Sequence, residues 1–365
     1  MDRPTVAVYE RSATFYASAR SAGDPRRPAA FAAALPDGAL RLDLGCGPGL
    51  HLESLGEPVI AADVAAAMLA EARHRAPRAS LVRCDLEALP FRRRGLAGIW
   101  ASKAHQHIPA ERLPMALAEL HRALDVGGRL DLTMFEGEGT AMSDDDLPGR
   151  FFRWWTVDEL ADLLVGAGFD IDHIGIPAAP VRRRHPNRGA HPHIEVTATR
   201  GPTLADTVGP DMVMLCCGLN PSVYSADAGT AFARPGNRFW PALRAAGLAT
   251  VDRDPFRLLR GHRIGLTDLV KRATARADAL TTAEYTAGVE RIERLCRRMR
   301  PAALCLVGLA GWRAAVERTA TVGWQPVRLG GVPVYVMPST SGANAHATPQ
   351  ALADHLRAAA EGPPR

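Results

Sequence analysis

LDLGCGPG, at residues 42–49, is the most informative motif in the first half of the chain. It stands where an apolar run gives way to a loop. Gly45, Gly47 and Gly49 allow the backbone there to bend tightly and to approach a ligand without a side-chain clash. The spacing is Gly-x-Gly-x-Gly and not the Gly-x-Gly-x-x-Gly of dinucleotide enzymes, so it requires no pyrophosphate loop. The motif predicts a ligand site at a strand–loop–helix junction.

Two acidic residues narrow the choice of ligand. The apolar run 59–62 ends in Asp63, which is placed to accept hydrogen bonds from ribose hydroxyls. Asp85 closes the next short apolar run, where a carboxylate can meet an adenine amino group. Together with the glycine loop, these acids indicate a site for a nucleoside cofactor.

Apolar runs alternate with amphipathic helical patterns through the first half, which is typical of βαβ units on a parallel sheet. Residues 111–124 predict a helix that is ended by Gly127-Gly128. Residues 129–135 predict the strand that follows. The first half is therefore expected to have an α/β fold.

The length of 365 residues suits two domains. Residues 201–210 contain turn residues and no strong period, and the α/β alternation starts again after them. We therefore expect a domain at residues 1–200, a linker at residues 201–210 and a second α/β domain at residues 211–365.

The first half resembles the class I S-adenosylmethionine-dependent methyltransferases over nearly its full length. The matching stretches are LDLGCGPG, Ala62-Asp63, Cys84-Asp85-Leu86 and LDVGGR at residues 124–129. The resemblance implies a Rossmann-like fold with S-adenosyl-L-methionine as cofactor, and a Rossmann-like domain without a cofactor is the alternative. The cofactor-binding residues that it implies are Asp43, Gly45, Cys46, Gly47, Gly49, Asp63, Asp85 and Leu86.

The methyl acceptor stays open at this stage. The segment WASKAHQHIP, at residues 100–109, is expected to lie at the strand end that faces the acceptor. His105 or His107 is a candidate to deprotonate the substrate, and a structural or exposed histidine is the alternative. The segment has no Asn/Asp-Pro-Pro-Tyr motif of the kind found in many base-amino methyltransferases, which favours a small molecule over DNA.

CGLNPSVYSADAGTAFARPGNRFW, at residues 217–240, carries the chemistry of the second half. An apolar strand delivers Asn220 to a sheet edge, where its neutral amide can hold a water but cannot accept a proton as a strong base would. Phe232 offers an aromatic face on which a planar base can stack. Three polar residues suited to contacting phosphates or to fixing the loop follow, namely Arg234, Asn237 and Arg238.

This half resembles the mismatch-specific uracil/thymine-DNA glycosylases of the uracil-DNA glycosylase superfamily, over residues 211–357. The matching stretches, in order, are GLNP at 218–221, ARPGNRFW at 233–240, GLTDLVKR at 265–272 and MPSTS at 337–341. The resemblance implies a uracil-DNA glycosylase-like α/β fold, a mismatched DNA duplex as partner and no metal. It also implies that the enzyme flips the base out of the duplex before hydrolysing its glycosidic bond.

Within that resemblance, Asn220 positions the attacking water and Ser225 assists. Backbone N–H groups near Leu219 and Ser222 stabilise the charge on the leaving base. Since Asn activates water less strongly than Asp, we expect a slow enzyme. The base-binding residues are Gly218, Leu219, Pro221, Ser222 and Phe232. The DNA-binding residues are Arg234, Asn237, Arg238, Ser339, Thr340, Ser341, Gly342, Ala343 and Asn344.

Two residues depart from the pattern of the family. Ser222 stands where glycine is common, and its side chain is expected to tighten the pocket and to shift base preference. Ala343 stands where relatives insert Leu or Arg into the base stack. Because alanine fills the vacated space poorly, excision from duplex DNA is expected to be less efficient, and single-stranded substrates become plausible.

Charge and composition agree with DNA as partner for the second half. Residues 1–200 hold 24 Lys and Arg against 26 Asp and Glu, whereas residues 201–365 hold 20 against 13. The basic half is where a polyanion is expected to dock. No apolar run is long enough to span a bilayer and no signal peptide is evident, so we expect a cytoplasmic protein with no membrane partner.

Three functions are consistent with the sequence. The first is a bifunctional enzyme that combines base-excision repair with methyl transfer. In the second, the methyltransferase is the main activity and the glycosylase half is weakened. In the third, the second half is a DNA-binding module that recruits the methyltransferase, although pure binding would not need Asn220, Phe232 and Ser339 together.

Overall fold

The computed structural model describes residues 2–177, 192–342, 344 and 347–364. The chain divides into two compact units. The first unit comprises Met1–Val165 and Phe169–Gly201, and the second comprises Gly166–Gly168 and Pro202–Arg365. Most of residues 202–210 are buried within the second unit.

A mostly parallel sheet forms the centre of the first unit. Up to residue 200 the helices are α1 (Arg3–Arg11), α2 (Ala13–Ala19), α3 (Arg26–Ala33), α4 (Leu52–Leu55), α5 (Ala66–Arg75), α6 (Leu113–Ala123) and α7 (Val157–Gly166). The strands are β1 (Arg41–Leu44), β2 (Val59–Asp63), β3 (Ser80–Arg83), β4 (Leu96–Ser102), β5 (Leu124–Phe135), β6 (Thr140–Met142), β7 (Phe151–Arg153), β8 (Phe169–Gly175) and β9 (His193–Arg200).

The strand order determines which residues meet at one edge. The order is β3-β2-β1-β4-β5-β9-β8, with β1 to β5 parallel and β9 antiparallel to both β5 and β8. Parallel strands bring their carboxyl ends to the same edge. The loop after β1, Asp63 at the end of β2 and Lys103 after β4 therefore lie along one edge of this sheet.

The helix before β5 ends within one residue of its predicted end, but the predicted role of Gly127-Gly128 as its stop is wrong. The helix ends at Ala123, and the strand begins at once with Leu124, which pairs with Leu96. Gly127 and Gly128 lie in the strand segment where the register with β4 shifts, and Gly127 has φ +78°. The glycines therefore accommodate a bulge, where a positive φ is needed, and do not cap the helix.

The second unit has a smaller mixed sheet. Its helices are α8 (Val223–Ala228), α9 (Phe239–Ala245), α10 (Pro255–His262), α11 (Thr282–Met299), α12 (Leu309–Ala315) and α13 (Pro349–Glu361). Its strands are β10 (Met214–Gly218), β11 (Ile264–Asp268), β12 (Leu304–Val307), β13 (Gly323–Leu329) and β14 (Val332–Met337). The order is β11-β10-β12-β14-β13, and β13 is antiparallel to β14 whereas the other pairs are parallel.

Burial explains why this sheet forms. All residues of β10, β11 and β12 are buried, as expected for strands covered on both faces. Trp240 and Phe239 of α9 are fully buried in the core that covers the sheet, together with residues of α13. The predicted α/β class is confirmed for both units. No helix in the described part of the chain is both long and apolar enough to cross a bilayer.

Candidate active sites

A cavity of about 480 Å³ opens at the carboxyl edge of the first sheet. Its volume lies within the range of ordinary small-ligand pockets. Its lining is formed by the glycine loop, the ends of β2 and β4, the N-terminal helices and the start of β9. Of the predicted cofactor residues, those that line it are Gly45, Cys46, Gly47, Asp63 and Leu86.

Gly45 is required by the backbone and by a close neighbour. Its φ is +69°, and a Cβ atom at this position would lie 2.3 Å from the Cβ of Ala104. Any side chain would therefore clash with the segment that follows β4. The glycine allows the β1 loop and the β4 loop to meet at the cavity.

Asp63 holds the glycine loop in place. Its Oδ2 accepts a hydrogen bond from the amide of Gly47 at 2.9 Å, and its Oδ1 accepts one from the amide of Ala65 at 2.9 Å. Burial raises the pKa of Asp63, and these amide bonds oppose the shift. Because a carboxylate oxygen can accept more than one hydrogen bond, both oxygens retain capacity for ribose hydroxyls.

The other predicted cofactor residues lie outside the cavity lining. Asp43 is buried beneath the loop, where burial and the nearby Asp63 raise its pKa to about 8. Asp85 uses Oδ1 to accept from the amide of Glu87 at 3.1 Å. Gly49 packs closely against Leu52 and is part of the helix packing behind the loop.

The two candidate histidines have different surroundings. His107 lines the cavity, whereas His105 is fully buried and is not part of the lining. His107 Nδ1 lies 2.7 Å from the carbonyl of Phe151, which can only accept, so Nδ1 carries the hydrogen. Nε2 therefore accepts from the hydroxyl of Tyr9 at 2.9 Å. Burial lowers the pKa of His107 to about 4, which makes it a weak base and favours a role in orienting Tyr9.

A polar cluster joins Arg27 of α3 to residues of β5 and β9, which lie further along the sheet from β2 and Asp63. Arg27 donates to Thr133 Oγ1 at 2.7 Å and to Asp131 Oδ1 at 2.6 Å. The same guanidinium lies 3.1 Å from Glu195 Oε1, and Glu195 is 3.2 Å from His193 Nε2. Both terminal nitrogens of Arg27 are therefore engaged by protein groups.

In the second unit, the loop after β10 is fixed by its neighbour β11. The carbonyls of Gly218, Leu219 and Pro221 accept from the amides of residues 269, 270 and 274. The Asn220 side-chain Nδ2 donates to three oxygens, including Thr274 Oγ1 at 2.8 Å and the Arg272 carbonyl at 3.0 Å. With Nδ2 so engaged, Oδ1 is left as the atom that can accept from a water.

Asp268, at the end of β11, lies directly beside Gly218. A Cβ atom at residue 218 would be 2.5 Å from Asp268 Oδ1 and 3.3 Å from Phe232 Cζ. The absence of a side chain at Gly218 therefore brings the carboxylate and the aromatic ring together. Burial raises the pKa of Asp268 to about 6, although Lys271 and Arg291 oppose this shift.

A buried ion-pair network supports Asp268 from behind. Asp206 accepts from Lys271 Nζ at 2.9 Å and from Arg291 Nη1 at 2.7 Å. Arg291 also donates to the carbonyl of Asp268 and to Thr267 Oγ1. These cations hold the pKa of Asp206 below its usual value, so the network stays charged and fixes the end of β11.

Phe232 has a strained backbone and a supporting ring. Its φ is +56°, and its ring stacks on Phe239 with centroids 4.0 Å apart. Ser225 Oγ lies 3.1 Å from Ser222 Oγ and accepts from the amide of Ala233 at 3.3 Å. Ser222 also caps α8 through the amide of Ser225. The two serines thus hold the loop that presents Phe232.

Arg238 connects two of the predicted DNA-contacting loops. Its guanidinium donates to the carbonyls of Ser341, Asn344 and Ala347, and its amide donates to the carbonyl of Thr340 at 2.9 Å. This favours loop fixing over phosphate contact for Arg238. Of the other predicted DNA-binding residues, Arg234, Ser341 and Gly342 are exposed, Asn237, Ser339 and Asn344 are half-buried, and Thr340 is buried. Ala343 lies outside the described residues.

Comparison with known families identifies both units. Residues 42–128 match the family model of the methyltransferase domain, and residues 205–360 match that of the uracil DNA glycosylase superfamily. The chain joins a class I methyltransferase domain to a uracil DNA glycosylase superfamily domain. Both families, and their order, were predicted from the sequence, and that prediction is confirmed.

Solved structures similar to this chain include several methyltransferases. One from Methanosarcina mazei is 18% identical with a TM-score of 0.42, covering 46% of this chain and 95% of that one. One from Mesorhizobium loti is 22% identical with a TM-score of 0.39, covering 49% and 99%. The CcbJ methyltransferase from Streptomyces caelestis is 16% identical with a TM-score of 0.44, covering 55% and 100%.

Sequence reasoning did not single out several residues of these sites. In the methyltransferase domain they are Tyr9, Tyr16, Arg27, Lys103, His193 and Glu195. In the glycosylase-superfamily domain, Asp268 was quoted within GLTDLVKR but given no role. The available signals were an Asp2-x-Pro4 helix start before Tyr9 and an acid closing a buried strand at Asp268. Among the described residues, no group of three His, Cys, Asp or Glu side chains is arranged to hold a metal ion.

Proposed function

We propose that the glycosylase-superfamily domain hydrolyses the glycosidic bond of uracil, or of thymine or a modified pyrimidine, mispaired with guanine in DNA. The observation that carries this proposal is the placement of Asp268 and Phe232 against Gly218, at the start of the loop that presents Asn220. A buried carboxylate and an aromatic face both lie beside Gly218. Two residues further on, Thr274 holds the Asn220 amide, and its Oδ1 is left to accept from a water. A module that only binds DNA has no use for the carboxylate or for the water-holding amide.

The chemistry assigns a distinct part to each residue. The flipped base stacks on Phe232, and the bond between C1′ of the sugar and N1 of the base breaks with the electron pair leaving on the base. Asn220 holds a water against C1′, and Asp268 takes the proton as the water oxygen bonds to C1′. Backbone N–H groups near Leu219 and Ser222 stabilise the base anion. A carboxylate base offsets the weak activation expected from Asn220 alone.

An excision assay tests this proposal. A duplex with one G·U mismatch is incubated with the protein and treated with alkali, which cleaves at abasic sites. We expect strand cleavage by the parent and its loss in Asn220→Ala. Tight duplex binding by folded protein, with no abasic product from G·U, G·T or single-stranded uracil, would instead support the DNA-binding module.

We propose further that the methyltransferase domain binds S-adenosyl-L-methionine and methylates a small molecule. The residues present fit this cofactor, because Gly45 leaves room beside Ala104 and Asp63 offers carboxylate oxygens to ribose hydroxyls at the cavity. The cofactor supplies an electrophilic methyl group when bound. The chain's own contribution is to align the acceptor and to exclude water, and such alignment alone can supply much of the rate.

Cofactor binding is tested separately from excision. Thermal unfolding of the whole chain is followed with and without S-adenosylhomocysteine. The transition that Gly45→Ala lowers belongs to the methyltransferase domain, and the ligand should raise the melting temperature of that transition. No shift at millimolar concentration would refute cofactor binding and leave the glycosylase proposal untouched.

A further inference from the structure

Lys103 places an ammonium group in the lining of the methyltransferase cavity. It lines the cavity and is exposed, and among the described residues no hydrogen bond or ion pair engages its Nζ atom. The neighbouring Arg27, by contrast, is bonded to Thr133, Asp131 and Glu195. Lys103 is therefore the cation of this cluster that is free to meet a ligand.

The backbone fixes the position of Lys103 in the turn after β4. Its φ is +56°, in the left-handed region where glycine is favoured. Its amide donates to the carbonyl of Thr133 at 3.0 Å, which fixes the turn after β4. The base of the Lys103 side chain is therefore held at a fixed point of the cavity lining.

The strand register places Lys103 on the acceptor side of the cofactor site. Ser102 pairs with Thr133, and Thr133 pairs with Glu195, so these three residues form a row across β4, β5 and β9. The predicted ribose contact, Asp63, lies on β2, two strands away from β4. Adjacent strands are about 4.8 Å apart, so the row around Lys103 begins roughly 10 Å from the ribose end.

We propose that Lys103 binds an anionic group of the methyl acceptor, so that the acceptor is a small molecule bearing a carboxylate or a phosphate. Glu195 and His193 lie in the same cluster and provide hydrogen-bond acceptors for the nucleophilic end of such a molecule. Trp100 and His51, which also line the cavity and pack edge to face, favour a planar substituent. Partial burial lowers the pKa of Lys103, whereas the nearby Glu195 opposes the shift. This inference rests on the proposed cofactor site.

The chain has only two lysines, Lys103 and Lys271, which makes a direct test possible. Protein labelled with [ε-13C]lysine should give two side-chain signals, assigned with Lys103→Arg. Lys271 is paired with Asp206 at 2.9 Å and serves as an internal reference. With S-adenosylhomocysteine at saturation, we expect benzoate or phenyl phosphate to shift the Lys103 signal saturably, and neutral benzamide to leave it unchanged.

A matched variant completes the test. Lys103→Met should weaken binding of the anionic probe about tenfold or more, because a charge-assisted hydrogen bond is lost. The affinity of the same variant for S-adenosylhomocysteine should stay within twofold of the parent. The tighter of benzoate and phenyl phosphate identifies the anion class.

Three results would overturn the inference. Equal shifts with benzamide, or no saturable shift with either anion, would show that Lys103 is not an anion site. A Lys103 shift with S-adenosylhomocysteine but not with methylthioadenosine, which lacks the amino-acid group, would assign the ammonium to the cofactor's carboxylate. Failure of S-adenosylhomocysteine to bind at all would refute the proposed cofactor site and this inference with it, whereas the first two results leave cofactor binding intact.

Discussion

Asn220 Nδ2 lies 2.8 Å from Thr274 Oγ1, and this hydrogen bond connects the loop after β10 to the loop after β11. Thr274 is buried and donates in turn to the carbonyl of Arg276 at 2.8 Å. Its hydroxyl therefore has a fixed direction and keeps Asn220 in one orientation. A water-positioning amide requires this kind of support, because an unrestrained side chain would sample several rotamers.

Thr274→Val should slow excision of uracil from a G·U duplex roughly fivefold, since one hydrogen bond of about 1 kcal/mol orients the amide. Thr274→Ser, which retains the hydroxyl, should stay within about twofold of the parent. Single-turnover rates measure the effect, because they report the chemical step without product release. Equal losses in both variants, or no loss in the valine variant, would argue against an orienting role.

Asp268→Asn should reduce the single-turnover rate by roughly 10²–10⁴-fold, the usual contribution of a general base. With a pKa of about 6, the parent should lose about tenfold in rate between pH 7 and pH 5, as the carboxylate takes up a proton. Any residual rate in the variant should lack this dependence. Asp278→Asn, at an exposed acid of the same domain, is the matched control and should behave like the parent.

The same substitution should raise stability at neutral pH. The pKa of Asp268 in the folded protein is above the ordinary value of 3.8, so the ionised form is disfavoured by folding. The favourable contribution of Asp268 to the free energy of unfolding is present below about pH 4, and it is lost as the pH rises through about 6. Asp268→Asn should therefore melt higher than the parent at pH 7.5 and equally at pH 4. A lower melting temperature at pH 7.5 would show that the carboxylate stabilises the fold.

Gly45→Ala should weaken S-adenosylhomocysteine binding at least tenfold, because the new Cβ would displace Ala104 at the edge of the cavity. Gly38→Ala is the control for backbone strain alone. Its φ of +68° matches the +69° of Gly45, but nothing lies within 4 Å of a Cβ built there. Isothermal titration calorimetry should show near-parent affinity for Gly38→Ala, and a similar loss in both variants would contradict the steric explanation.

Ala343→Leu should raise excision from a G·U duplex relative to excision from single-stranded uracil, because a larger wedge fills the space left by the flipped base. A three- to tenfold change in this ratio corresponds to roughly 1 kcal/mol of better stacking. Ala343→Ser adds polarity without the apolar volume and should leave the ratio unchanged. The two substrates are compared in one assay at equal ionic strength, since binding to both depends on salt. An unchanged ratio in the leucine variant would show that this residue does not act as a wedge.

Some features that were not predicted had a readable local signal. Helix α11 begins at Thr282, because Thr281 and Glu284 form a capping box. The Thr-x-x-Glu pattern is present in the sequence and marks that start. Gly127-Gly128, by contrast, could not be interpreted from the sequence. A glycine pair after a helical pattern can end the helix or form a bulge in the next strand, and only the pairing of this strand with β4 identifies a bulge.

The two families, their order, the α/β class, the glycine loop with Asp63 and the motif that carries Asn220 could all be predicted from the amino-acid sequence. These features are local, because a turn that needs glycine or a strand end that needs a polar residue is specified within a few neighbouring residues. Folding was needed to show that Asp268 faces Gly218 and that Tyr9 meets His107. It also showed that, within the part of the chain that the structure describes, Arg27 is paired and Lys103 is not. The residues of each pair are tens of residues apart in sequence, and strand order and register bring them together. Burial, charge and partnership belong to that arrangement and not to any single stretch of the chain.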